Sequence, residues 1–300
     1  MADVDAPIAV DAVWQQQGVW SRAAGHAQRR IVQGRRAVAG LTIVAAVGGT
    51  AAAQLGGVQA GVGRVLAVLA GVALALVPVA ARSTGREAVQ AWTRLRSVSE
   101  ALKADVYRYL ARVAPFSGEE RDMVLLRRLD ALLDDAGDLV GLTVDLPLVH
   151  RPLPTVTGVD SYLTHRLAQQ VEAYYLPGAR RMARRAARIR TATNVLTIVG
   201  AVLSGVVGVL GDGLGLASWV GVVATVTTAL VGYGAAQQFE AHQLEYARTA
   251  DQLSRLGRSR RDGVGWTDDD AFVAEAERII SLSNEAWMAR TIEEDGAAHR

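Results

Sequence analysis

The sequence predicts an all-α integral membrane protein: two transmembrane helical hairpins, four spans in all, with a cytoplasmic helical bundle. Three observations carry this. First, apolar runs come in pairs, each of roughly 17–20 residues, enough for a helix to cross a bilayer core of about 30 Å. Second, of the 32 Lys and Arg residues in the chain, only Arg64 falls in a turn between paired runs. Third, the segments outside the runs show four-and-three spacing of apolar residues, the rhythm of packed amphipathic helices.

Composition agrees. Half of the 300 residues are hydrophobic but only 5% are aromatic. Ala, Val, Leu and Gly supply the hydrophobicity, as in helices that approach closely in lipid. The net charge of +2 makes the basic balance local rather than global. Cysteine is absent, which excludes disulfides, thiolate metal sites and a cysteine nucleophile. The acidic start and the late onset of the first apolar run, near Ala37, do not fit a removable signal peptide.

In order, residues 1–36 are expected as a cytoplasmic segment. The first 20 are loosely ordered, with Trp14 and Trp20 resting on a membrane surface or a neighbouring helix, and a basic helix follows. Residues 37–81 form the first hairpin, with Pro78 in its last turn. In residues 82–137 a long helix carries the seam Ala88, Trp92, Leu95, Ser99, Leu102, Val106, Tyr109 and Val113; Pro115 ends it, and a second amphipathic helix follows from about Glu119. Residues 138–158, with Pro147, Pro152 and Pro154, read as an extended connector between halves. Residues 159–192 are a basic helix expected to kink or break at Pro177-Gly178. Residues 193–236 form the second hairpin, turning at GDGLG, and residues 237–300 are cytoplasmic helices, the last beginning after Asp268. There Phe239, Gln243, Tyr246, Ala250 and Leu253 repeat the earlier seam at a constant offset of 151 positions. The layout is that of a diverged repeat. By the positive-inside rule, both termini and the middle region face the cytoplasm.

Candidate chemistry is sparse. The five histidines (His26, His150, His165, His242 and His299) show no metal-ligand spacing. The one lysine, Lys103, lies outside any phosphate-loop motif, and GDGLG reads as a tight turn. The acidic clusters at Asp134, Asp135 and Asp138 and at Asp268, Asp269 and Asp270 read as helix ends rather than metal sites. No cofactor or metal is expected, the chain is not expected to be an enzyme, and no nucleic-acid partner is expected. What remains is three sets of residues. Small residues form faces of the spans: Ala45, Gly49 and Ala53; Gly200, Ser204 and Gly208; Gly221, Thr225, Thr228 and Gly232. These fit helix packing, an oligomer seam or a pore wall. Trp92, Leu95, Leu102, Val106, Phe239, Tyr246 and Leu253 form cytoplasmic coupling seams. Arg180, Arg181, Arg184, Arg185, Arg188 and Arg190 are placed to meet lipid headgroups or another anion.

WTRLRSVSEALKADVYRYLARVAPF, from Trp92 to Phe116, resembles the segment after the transmembrane pair in SLATT domains. YLTHRLAQQVEAYY followed by a basic helix and a hairpin resembles the same family. So does the ending AFVAEAERIISLSNEAWMAR, with Glu277 and Trp287. The chain is thus identified as resembling a tandem SLATT protein. The resemblance implies a two-transmembrane effector of prokaryotic conflict systems, acting in antiviral defence beside nucleotide-signalling enzymes or sensor proteins. It implies an oligomeric, pore-forming or membrane-perturbing action on membrane lipids once a signal arrives. Two hairpins depart from the simplest pattern, and the signal is expected from a separate partner. The rival readings are a scaffold or sensor adaptor without permeation and a small-solute transporter. The transporter reading is weakened because the cores of the spans lack ionisable residues.

Overall fold

A computed structural model describes residues 8–57, 59–213, 215–266 and 268–282. Among these the chain is helical, with no strand. The helices are α1 (Ile8–Leu55), α2 (Ala60–Arg82), α3 (Arg86–Ala111), α4 (Arg121–Asp135), α5 (Val159–Tyr162), α6 (Leu176–Leu210), α7 (Leu216–Gln237), α8 (Phe239–Arg261) and α9 (residues 269–282). Four of them contain stretches long and apolar enough to cross a membrane. The protein is an all-α, multi-pass membrane protein.

The helices form two compact units that cut across the sequence halves. One, the helical unit, holds described residues 8–29, 86–180 and 242–282. The other, the apolar unit, holds residues 30–85 and 181–241.

The helical unit has an ordinary aromatic and aliphatic core. Tyr107, Val113, Tyr162, Leu167, Val171, Tyr175, Leu253, Leu256, Phe272, Val273, Ala276 and Ile280 are all buried in one cluster. This cluster draws on both sequence halves, so residues 138–158 do not divide the chain into packing units. That stretch begins as a 3₁₀ turn, Gly137–Leu142, before it becomes extended.

Loose order over the first 20 residues does not hold for residues 8–20. They are helical, with Val10, Val13, Trp14, Gln17 and Trp20 buried. Their spacing is that of one helix face. The Trp14 indole donates to the Pro152 carbonyl at 2.9 Å, and Arg151 lies over the ring at 4.1 Å. Gln17 donates to the Ser99 hydroxyl at 3.0 Å and accepts from Arg151 at 2.8 Å. These partners are far away in sequence, which hides them from local pattern reading.

The chain stays helical through Pro177, which lies two residues past the point where π-winding gives way to the α-winding of α6; a π-turn there accommodates a residue with no N–H to donate. The chain reaches it from α5 through two π-helical segments, Leu163–Ala168 and Gln170–Tyr175. Pro78 is likewise carried inside α2.

The apolar unit is built differently. Val68 (64%), Leu74 (62%), Ile198 (65%) and Val202 (60%) remain largely exposed, far more apolar surface than a protein in water presents. Several close approaches between its helices are made at glycine. A methyl group added at Gly63 would come within 2.9 Å of the Gly56 Cα and 3.1 Å of the Ala52 carbonyl, so α1 and α2 touch backbone to backbone. A methyl at Gly48 would meet the Ala70 Cβ at 3.5 Å. For α6 and α7 the close points are Gly200 against Val223 and Gly234 against Ile189. The Gln54 amide donates to the Gly215 carbonyl at 2.9 Å, and Arg35 donates to the Ala236 carbonyl, so α1 also adjoins the second hairpin.

Candidate functional site

The α3 seam is assembled from Trp92 onward, with Ala88 half-buried at its start. Leu95 and Val106 are wholly buried, Leu102 is nearly so, and Trp92, Ser99, Tyr109 and Val113 are buried with them. The second seam is only partly so. Leu253 and Ala250 are buried and Tyr246 is half-buried against the core, but Gln243 is exposed. Phe239 belongs to the apolar unit, edge-on to Tyr233 at 6.2 Å.

A charged group lies at the centre of the helical unit, outside the spanning stretches. The Arg166 guanidinium grips Glu277 with two bonds, Nε to Oε1 at 3.0 Å and Nη2 to Oε2 at 2.9 Å. Both side chains are only 2% exposed. The Tyr162 hydroxyl donates to Glu277 Oε1 at 2.8 Å, and Arg166 lies 4.3 Å over the Tyr107 ring. Burial opposes the Arg166 charge, but Glu277 overcomes it and raises the guanidinium pKa further. Burial and then the Glu277 carboxylate push the Tyr162 phenol well above its ordinary range.

Along α3, Arg96, Glu100, Lys103 and Tyr107 lie on one face at helical spacing. Arg96 pairs with Glu100 at 2.8 Å. Burial works to raise the Glu100 carboxyl, but Arg96, helped by Lys103 and Arg166, holds it below its usual value. Burial, then the Arg166 charge, pushes the Lys103 ammonium down to about 8.

Sequence reading did not pair Arg166 with Glu277. The signal was present: Val273, Ala276, Glu277 and Ile280 share the buried face of α9, with one charge among apolar residues, and Arg166 interrupts the buried positions Tyr162, Leu167 and Val171 in the same way. The partner's identity was not legible, because 111 residues separate them. Trp287 and His299 lie outside the described residues.

The other candidates disperse. In the acidic clusters, Asp138 pairs with Arg94, Asp269 pairs with Arg260, Asp268 accepts from the Asp270 N–H at 3.0 Å, and Asp270 accepts from the Ala114 N–H at 2.8 Å. An open groove of about 400 Å³ is lined by Trp266, Leu256 and Ile279, but its two arginines are engaged, Arg255 with Asp251 and Arg278 with Glu275. In the spans, Gly49, Gly208, Gly221 and Gly232 have nothing within 4 Å of an added methyl group. Ala53, Ser204, Thr225 and Thr228 are exposed and Ala45 is half-buried. Within the chain, the first hairpin closes on the adjoining face, Gly48, Ala52 and Gly56. Of the glycines chosen in the second, Gly200 makes a close approach, to Val223. Arg180, Arg181, Arg184, Arg185, Arg188 and Arg190 are all exposed, and Arg190 lies 3.6 Å from Glu240.

Two family models match, one around each hairpin. Residues 162–287 match the SMODS and SLOG-associating 2TM effector domain 1 (SLATT_1). Residues 18–122 match a protein of unknown function (DUF4231). No curated protein and no solved structure matches the chain.

Proposed function

Since this chain is a SLATT-domain protein, and so a membrane effector, we propose that it acts as a gated, membrane-perturbing oligomer in a prokaryotic conflict system. The SLATT model is named for association with SMODS and SLOG partners, so the signal is assigned to a separate nucleotide-signalling enzyme or sensor. The protein resides in the cell membrane, with both termini and residues 83–190 in the cytoplasm. The distribution of arginines supports that orientation.

One observation carries the gating reading. The buried Arg166–Glu277 pair ties α9 to a π-helical stretch that continues without a break into the apolar run of α6. A buried ion pair is a weak source of stability but a strong constraint on arrangement. π-Turns are rare and often mark functional sites. A signal that loosens α9 has a direct covalent route to the third span. The effect requires a state in which the signal binds better than in the resting one.

The test is reconstitution. Purified protein in liposomes, supplied with its activating partner, should leak ions, and activated cells should depolarise. The double variant Trp92→Ala/Leu102→Ala should insert with the same topology, read by reporter fusions at Gly57, Glu119 and Gly213, yet be silent or leak constantly. A scaffold predicts no leak in any form and lost partner recruitment in the double variant. Intact membrane potential in activated wild-type cells rejects the pore.

A further inference from the structure

Five arginines of α6 remain without a task in the packing of the chain, and four of them, Arg181, Arg184, Arg185 and Arg188, lie in the apolar unit. These four are exposed, and among the described residues none of their side chains makes an ion pair or a hydrogen bond. At 3.6 residues per turn they fall within an arc of about 100°, along about 10 Å of helix axis. Other sides of the helix are occupied: Ala186 is buried, Ile189 meets Gly234, and Arg190 is next to Glu240. The arginine face is therefore a surface in its own right.

Its place on the helix specifies the partner. A bilayer core about 30 Å thick takes about 20 helical residues, which from Leu210 backward ends near Thr191. Headgroups occupy roughly another 5–8 Å on each side. Arg188 then lies about 5 Å outside the core and Arg184 and Arg185 about 10 Å, within reach of long side chains that snorkel to the interface. Arg181 lies about 15 Å outside, still subject to the surface potential over a Debye length of about 8 Å. A pocket for a soluble phosphate needs cations converging on one point. These four instead form a strip leading away from the apolar run.

We infer that the Arg181–Arg188 face binds the phosphates of anionic lipid headgroups and fixes the depth and rotation of the third span. The arginine fork suits phosphate oxygens, and its charge is permanent. The contribution of each arginine falls with distance from the core, Arg188 first and Arg181 last. This does not depend on whether the protein forms a pore.

The experiment uses the full chain in nanodiscs of phosphatidylcholine and phosphatidylglycerol in equal parts. Lipid retained by the protein is read by native mass spectrometry or by spin-labelled lipids. Wild type should prefer phosphatidylglycerol, and the preference should shrink in high salt. Arg184→Gln/Arg188→Gln should lower it by roughly fivefold per arginine. Arg255→Gln/Arg278→Gln, which removes equal charge elsewhere, should leave it intact. Three results overturn the inference: no preference in wild type, equal loss in the control variant, or competition by millimolar inorganic phosphate with no dependence on lipid charge. The last would make the face a site for a soluble anion. Leak measurements are read separately, so a failed lipid preference does not bear on the effector mechanism.

Discussion

The helical unit and the apolar unit bury opposite kinds of residue. In the first, large rings fill the interior: Tyr162 and Phe272 meet edge-on at 6.5 Å, and Tyr107 and Tyr162 at 6.4 Å. Among the described residues, its most deeply buried charges are paired: Arg166 with Glu277, and Asp105 with Arg128. In the second, many valines and leucines face outward, and most buried positions are small, Ala52, Gly63, Ala70, Ala73 and Ala186, beside Ile31, Val222 and Phe239. The difference is one of solvent. In water, apolar area drives burial, so big side chains go in. In lipid, the surroundings are as apolar as leucine, so helices associate where small residues let their backbones approach. One polypeptide uses both rules.

Three experiments would break or sharpen this contrast. The largest effect belongs to the helical unit. Glu277→Gln leaves the Arg166 guanidinium buried without its bidentate carboxylate and should cost about 3–5 kcal/mol in unfolding of the detergent-solubilised protein. Arg166→Met with Glu277→Leu should recover most of that loss. Equal damage from the double and single variants would mean that the pair's geometry, not its charge balance, supports the unit.

Next comes the apolar unit. Gly63→Val pushes against the Gly56 and Ala52 backbone, which cannot yield as a side chain can. It should cost about 1–3 kcal/mol by overpacking. Gly49→Val enters open space and should stay within about 0.5 kcal/mol. Similar losses at both would show that Gly49 is covered by a second copy, and oligomer size in detergent would then report it.

The smallest effect is electrostatic. Burial, then the Arg166 charge, pushes the folded Lys103 ammonium down to about 8 from its ordinary value of 10.5. Between those values the unfolded chain binds more protons, so stability rises with pH. Melting temperature should climb between pH 8 and 10, and Lys103→Met should flatten that climb. A steeper rise in the variant would assign the effect to other groups.

Local pattern made much of this architecture legible. Four-and-three spacing placed Leu95, Leu102 and Val106 in a core, and run length placed the four spans. Three features escaped it. Which small-residue face of the first hairpin packs within the chain is not a local property, because Ala45–Gly49–Ala53 and Gly48–Ala52–Gly56 satisfy the same spacing and only the partner helix decides between them. The burial of Trp14 and Gln17 depends on Pro152, Arg151 and Ser99, which no local window contains. The grip of Arg166 on Glu277 joins two helices whose order in space the sequence does not state.

The π-helical segments Leu163–Ala168 and Gln170–Tyr175 also govern tolerance to changes in chain length. A π-turn accommodates one residue more than the α-turn it replaces. Losing one residue there can be absorbed as that turn tightens, and α6 keeps its facing. The same loss within α3 would swing every later side chain by about 100° and carry Val106 out of the core. Slack in helical phase is thus stored just ahead of the third span, where a single residue's worth of winding can be taken up or released.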